Sequence, residues 1–226
     1  MGAPQPAIPA ATVILLRDTD DGLETLMLRR ASKLSFAGGL WVFPGGRVDD
    51  VDRAGLAPAD ALGAARRAAA REAAEEADLR VDAEALVTLA HWEPPPQTPK
   101  RFATWFFLAA APAGAVTVDG GEITEHTWAR PLEVLERRDA GEIELAPPTW
   151  VTLHTLAAHA DAAAALAAAG AAEPEHFTTR AALTDDGGVV AMWHGDAGYE
   201  SGDAGAPGGR HRLWMVDTGW RYERHD

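Results

Sequence analysis

The run Arg71–Leu79, REAAEEADL, constrains this chain more than any other stretch. It closes a helix-favouring segment from about Ala59 to Ala77, with Pro58 at its start. At about 100° per residue, Glu75 and Glu76 fall within about 60° of Glu72. Three carboxylates on one patch repel one another and weaken the helix. A hard divalent cation such as magnesium, manganese or calcium turns that repulsion into ligation. Arg71 stands beside the trio and can orient one of its carboxylates. The competing reading is a solvated acidic face on a surface helix. Upstream, the short strand Leu40–Phe43 stops at Pro44-Gly45-Gly46 in FPGGRVD. Glycines there let the backbone approach a ligand closely and present a carbonyl oxygen. A strand, a Pro-Gly-Gly bend and an acidic helix in that order favour the cation over the solvated face.

The chain has 20 basic and 34 acidic residues, a formal charge of −14. A balance that negative repels phosphate backbones, so no nucleic-acid partner is expected. A phosphorylated small molecule in a local pocket stays compatible with it. No cysteine is present, which removes disulfides, thiolate zinc sites and a cysteine nucleophile. No apolar run approaches the roughly 20 residues of a membrane span, so no membrane partner is expected. MGAPQPAIPAATVILL lacks a basic start before its apolar stretch and does not read as a secretory signal. A cytoplasmic protein is the expectation.

Along the chain, residues 1 to 10 read as a loose lead-in. Ala11–Leu16 and Glu24–Arg29 read as a hairpin around the turn Arg17–Leu23. Residues 31 to 37 form a loop, and residues 47 to 57 an acidic loop. Strands are expected at Ala85–Glu93, Phe102–Ala109 and Thr124–Ala129. Helices are expected from Pro131 to Arg137 and from about Thr149 to Ala169. From His176 the character changes: strand-like pieces at Val189–His194, His211–Asp217 and Trp220–Arg224 flank a flexible Gly-rich loop, Gly195–Gly209. The class is α/β or α+β with a mixed sheet. Residues 1–175 read as the main domain, and residues 176–226 as a strand-rich extension packed on it. The Ala/Leu helix packs on the sheet or forms a homodimer interface.

With the bend and the acidic helix placed, the sequence resembles the Nudix hydrolase superfamily. Its signature is G, five residues, E, seven residues, REUxEExGU, with U a bulky apolar residue. Gly46 matches the first glycine; Arg71, Glu72, Glu75, Glu76 and Leu79 match the second half. Three departures stand out. Ala73 replaces the first U, and Asp78 replaces the last glycine. Between Gly46 and Arg71 lie 24 residues, against 13 in the signature. Counting back from Arg71 puts Gly63 at the first glutamate. The long insert resembles the branch of the peroxisomal coenzyme A diphosphatases. Leu26–Gly46, Pro99–Ala109 and Glu125–Leu156 agree with it, so the likeness spans roughly residues 11 to 156.

The resemblance implies an α/β/α sandwich that uses water to cleave a nucleoside diphosphate linked to another moiety, coenzyme A or ADP-ribose among them. It implies Mg2+ or Mn2+ held by Glu72, Glu75, Glu76 and the Gly45 carbonyl, with Arg71 in support. Glu72, Glu122 or Glu125 is the base. Arg29, Arg30, Arg47 and Arg101 are candidate phosphate contacts, against the alternative of pairing with local carboxylates. Trp41, Trp92 and Trp105 are base-stacking candidates, with core packing favoured. A non-catalytic nucleotide-binding or sensor module is the alternative function, motivated by the missing glutamate and by Asp78. His154 and His159 lie about 140° apart on a helix and do not form a zinc pair. Neither a G-x-S-x-G elbow nor a P-loop occurs. Gly195–Gly209 reads as a disordered loop, with a lid as the lesser option.

Overall fold

The computed structural model describes residues 6–33, 37–184, 187–216 and 219–225. Residues 1–5 of the expected lead-in, 34–36 of the expected loop and Asp217 of an expected strand lie outside the described residues. The chain divides into two compact units. One is Pro9–His91 with Thr104–Glu175. The other takes Trp92–Ala103, His176–Asp226 and the residues up to Ile8.

In the first unit, β1 (Ile8–Thr19) and β2 (Gly22–Arg30) form the hairpin. The ladder runs to the pair Thr19↔Gly22, so Asp20 and Asp21 make the whole turn and Gly22 takes φ +109°. The expected seven-residue turn is corrected to two, because Arg17 and Glu24 pair as an ion pair across the ladder. The expected lead-in likewise ends earlier, since Ile8 to Ala10 already belong to β1. Ala10 to Leu16 are all buried. A strand buried on both faces lies inside a covered sheet. The order around it is β3-β2-β1-β6-β5, with β3 at Trp41–Val42, β5 at Val87–Glu93 and β6 at Phe102–Ala110. Two further strands, β4 (Gly45–Arg47) and β7 (Ile123–Ala129), pair with β1 and β2.

On one face Val13, Leu15, Leu26, Leu28 and Phe107 form a core with Ala65, Ala69, Ala73 and Ala77 of helix α2 (Ala61–Ala77). Alanine every fourth residue makes a smooth stripe that seats the helix backbone close to the sheet. Ile14, Leu16 and Met27, of the opposite parity, are equally buried. There α3 (Pro131–Asp139) packs on β2 and on α4 (Pro147–Leu156). The expected three-layer mixed α/β arrangement is what the chain adopts.

Three local expectations are corrected. The acidic loop contains a short helix, α1 (Asp50–Arg53), whose Asp49 N–H donates to the Asp52 carboxylate at 2.9 Å. Helix α2 starts at Ala61 rather than Ala59, because the Asp60 side chain caps it by accepting from the Gly63 N–H at 2.9 Å. The expected helix Thr149–Ala169 is two, α4 and α5 (Ala162–Ala171). The break is polar: Asp161 accepts from Ala164 N–H, and Asp18 of β1 accepts from Ala162 N–H.

At the other end of α2, Asp78 takes φ +55° in the left-handed region. That conformation suits glycine, the residue of the signature. Asp78→Gly is therefore expected to raise stability by about 0.5–1 kcal/mol, read as a higher urea midpoint at unchanged m. A lower midpoint would show that the aspartate side chain contributes more than its backbone strain costs.

After β8 (Glu175–Thr178), β9 (Arg180–Leu183), β10 (Val189–Met192), β11 (Arg210–Val216) and β12 (Gly219–His225) of the second unit make an antiparallel sheet in the order β12-β11-β10-β9. Trp92 stacks on Phe177 at 3.7 Å between centroids, and Trp193 meets both edge-on. Trp92 is thus a core residue. The segment Gly195–Gly209, expected to be flexible, is tied to the sheet. Asp196 accepts from Gly198 and His211 N–H groups and forms a fully buried two-point ion pair with Arg212. Burial works against the Asp196 carboxylate, but Arg212 and the two N–H donors hold it below the usual range.

Candidate active site

The Pro-Gly-Gly segment is not a free bend. Gly45–Arg47 is strand β4, laid antiparallel on β1 with Thr12 opposite Gly45. A Cβ at Gly45 would sit 2.5 Å from the Ala11 carbonyl oxygen and 2.7 Å from Thr12 Cα. One at Gly46 would overlap the Glu72 carboxylate. The first glycine therefore lets two strands touch. The second lets the carboxylate lie against the strand.

The last two turns of α2 carry the acidic trio to this strand. Glu76 is buried, its side chain 7% exposed. Its Oε2 accepts from the Gly45 N–H at 2.9 Å, and its Oε1 lies 3.6 Å from Arg30 Nη1. Burial pushes its carboxyl up to about 8 against the opposing Gly45 N–H, with Glu72 and Glu122 adding to the rise. Glu72 also rises, mainly through burial; Arg71 opposes the rise, while Glu75 and Glu122 reinforce it. Glu75 is the exposed member, at 59%.

Arg71 sits among these groups. Its Nη1 donates to Glu72 at 2.9 Å and to Glu75 at 3.0 Å. Its Nη2 donates to the Arg47 carbonyl at 3.0 Å. Its Nε and Nη2 also grip Asp52 at 3.1 and 3.0 Å. Asp52 first, then Glu72, keeps the guanidinium charged. In this arrangement no group of three His, Cys, Asp or Glu side chains among the described residues is shaped to hold a metal ion. The guanidinium spans Glu72 and Glu75, and Glu76 faces the strand. The chemistry of the donors nevertheless fits a hard divalent cation: burial raises the proton affinity of both Glu72 and Glu76 despite Arg71 and Arg30, and Glu72 adds to the rise at Glu76.

Asp52 is the residue that sequence reasoning missed. It stands six positions after Gly46, where the signature has its first acidic residue when counted forward from the glycine. The added length therefore lies between Asp52 and Arg71. Counting backward from Arg71 led to Gly63, which is instead the residue whose N–H caps α2.

The carboxylates ahead of and within β7 differ in setting. Glu125 pairs with Arg29 directly across the β2–β7 ladder. Glu122 precedes the strand with its backbone pinned: its N–H donates to Asp119 at 2.9 Å, and its carbonyl accepts from Ala31 N–H at 2.7 Å. Its carboxylate bonds Arg30 Nη2 at 3.2 Å and acts electrostatically on both Glu72 and Glu76. Arg47 pairs with Asp49 at 3.2 Å and is 62% exposed. Arg101 belongs to the second unit, where it donates to the Pro94 carbonyl. A cleft of about 430 Å3 is lined by Arg29, Ser32, Lys33, Gly121, Thr124 and Glu125 among others.

A helix rich in carboxylates is thus seated on a glycine strand within a three-layer fold. The profile of the NUDIX domain matches residues 6–164, well over half the chain, and the chain belongs to that family of pyrophosphate-bond hydrolases. Nudix hydrolases generally use divalent metals. The structure is similar to that of a NUDIX hydrolase from Alicyclobacillus acidocaldarius, with a TM-score of 0.65 and 26% identity over 72% of this chain and 96% of that one. It shares its fold with the NUDIX domain of Shewanella oneidensis NrtR, solved with ADP ribose, with a TM-score of 0.51 and 16% identity over 66% of this chain and 86% of that one. No curated protein matches the sequence. Among the described residues no helix is long and apolar enough to cross a membrane.

Proposed function

We propose that this chain hydrolyses the pyrophosphate bond of a nucleoside diphosphate derivative, with Mg2+ or Mn2+ held by Glu72, Glu75, Glu76 and the Gly45 carbonyl. The observation that carries this reading is the buried pair Glu72 and Glu76 against the β4 glycines, a set of oxygen donors shielded from water. A bound cation would neutralise the pyrophosphate and polarise the attacked phosphorus. Glu75 would exchange its bond to Arg71 for the cation, while Asp52 keeps Arg71 in place beside Glu72. Glu122 takes the proton of the attacking water, because its carboxylate faces the trio and its backbone is pinned. Glu125 pairs with Arg29 as Glu122 pairs with Arg30; what favours Glu122 is that its charge acts on both Glu72 and Glu76. Arg29 and Lys33, which line the cleft with Thr124 and Glu125, can meet phosphate oxygens. The substrate class includes coenzyme A, ADP-ribose and related nucleotides.

Two features weigh against a non-catalytic module: Asp78 serves as the left-handed cap of α2, and Asp52 is an acid at the signature spacing from Gly46. The test is an assay of the full chain with Mg2+ or Mn2+ against coenzyme A, ADP-ribose, a dinucleoside polyphosphate and NADH, with products identified. Hydrolysis of one of them to a nucleoside monophosphate is expected. A protein that binds manganese and turns over none of them would leave the sensor reading in possession.

A further inference from the structure

The strand β2 ends at Arg30, and its guanidinium has a place of its own between the acidic helix and the segment before β7. Its side chain is 16% exposed. Nη1 lies 3.6 Å from Oε1 of Glu76, and Nη2 lies 3.2 Å from Oε2 of Glu122. These two carboxylates are 46 residues apart in sequence and belong to different elements. Arg30 is the bridge between them. Its Nε is buried and has no hydrogen-bond partner among the described residues, so the fork at the tip makes its polar contacts. The neighbour Arg29 is directed to Glu125 across the sheet and does not share this task.

We propose that Arg30 is a positioning residue for the hydrolysis described above. Its planar fork holds the Glu122 carboxylate at a set distance from Glu76, and its charge occupies part of the field that a divalent cation must enter. The inference rests on the proposed function for its kinetic arm, and on geometry alone for its binding arm. Two physical consequences follow. A fork with two donors in one plane sets a distance between two carboxylates that a single ammonium cannot set. A fixed positive charge 3.6 Å from Glu76 disfavours a second cation there by Coulomb repulsion.

The test uses Arg30→Gln, Arg30→Lys and Glu122→Gln in the full chain. Manganese binding is followed without substrate, by the spin-resonance signal of the free ion. Arg30→Gln should bind manganese several-fold more tightly than the parent, and Arg30→Lys close to it. In hydrolysis, both Arg30 variants should lose kcat by about tenfold or more with KM near the parent value. Adding Glu122→Gln to Arg30→Gln should cost little beyond Glu122→Gln alone. A raised KM with kcat kept would overturn the proposal, since it marks a phosphate contact instead. So would manganese affinity that falls in Arg30→Gln, or wild-type kcat in Arg30→Lys. If Arg30→Gln does not fold, Arg30→Lys decides through kcat. If the parent hydrolyses nothing, the manganese titrations still read the Arg30–Glu76 arrangement, so failure of the proposed function and failure of this inference are told apart.

Discussion

Glu76→Gln should melt at a higher temperature than the parent protein at pH 8 without divalent cation, and should hydrolyse nothing. Burial raises the Glu76 carboxyl from 4.5 to about 8. Between those values the native state keeps a proton that the unfolded chain has released. Its stabilising share is therefore complete below about pH 4.5 and lost as pH rises through 8. That displacement corresponds to a few kcal/mol in order of magnitude. Glutamine keeps an acceptor for the Gly45 N–H and cannot ionise, so its melting curve should be much flatter with pH across this window. The parent in EDTA should lose stability steadily from pH 5 to 8. Added Mg2+ or Mn2+ should restore it in the parent and not in the variant, because only the parent carries the carboxylate. Parallel melting curves of the two proteins over this range would show that Glu76 is not the strained group described here.

Much of this site was legible in the chain. Three glutamates at helical spacing near a Pro-Gly-Gly segment marked the place, and those residues do share it. What the sequence hid were pairings between distant residues. Gly45 and Gly46 read as a bend because a three-residue strand has no pattern of its own; its place is set by β1, more than 30 residues earlier. Arg71 was expected to orient one carboxylate, whereas it holds Glu72, Glu75 and Asp52 at once. The split of the Ala/Leu helix was masked by alanine, which favours helix everywhere and signals no end. Only Asp161, a capping residue, announced the restart of α5. Arg30 was one arginine among several until the fold set Glu76 and Glu122 on either side of it.

Asp52→Asn carries the other large effect, and it separates support of the site from contact with substrate. Asp52 is 4% exposed and takes Nε and Nη2 of Arg71 in a planar two-point pair. Asparagine has the same shape but offers one acceptor and no charge. Arg71 then keeps Glu72 and Glu75 as its anionic partners, and their carboxylates follow the guanidinium rather than the position a cation needs. A loss of roughly 1–3 kcal/mol in stability is expected, smaller than for a fully buried pair because Arg71 is partly open to water. Hydrolysis should fall about 10- to 100-fold, as for residues that orient metal-binding side chains. The loss should appear in kcat and in manganese affinity, with KM held, since Asp52 is buried beneath Arg71. Asp52→Glu restores the charge at a longer reach and should recover part of both. Should Asp52→Asn lose stability yet keep kcat and manganese affinity, Asp52 would be a prop for α1 alone, and the orientation of Glu72 would have to come from Arg71 unaided.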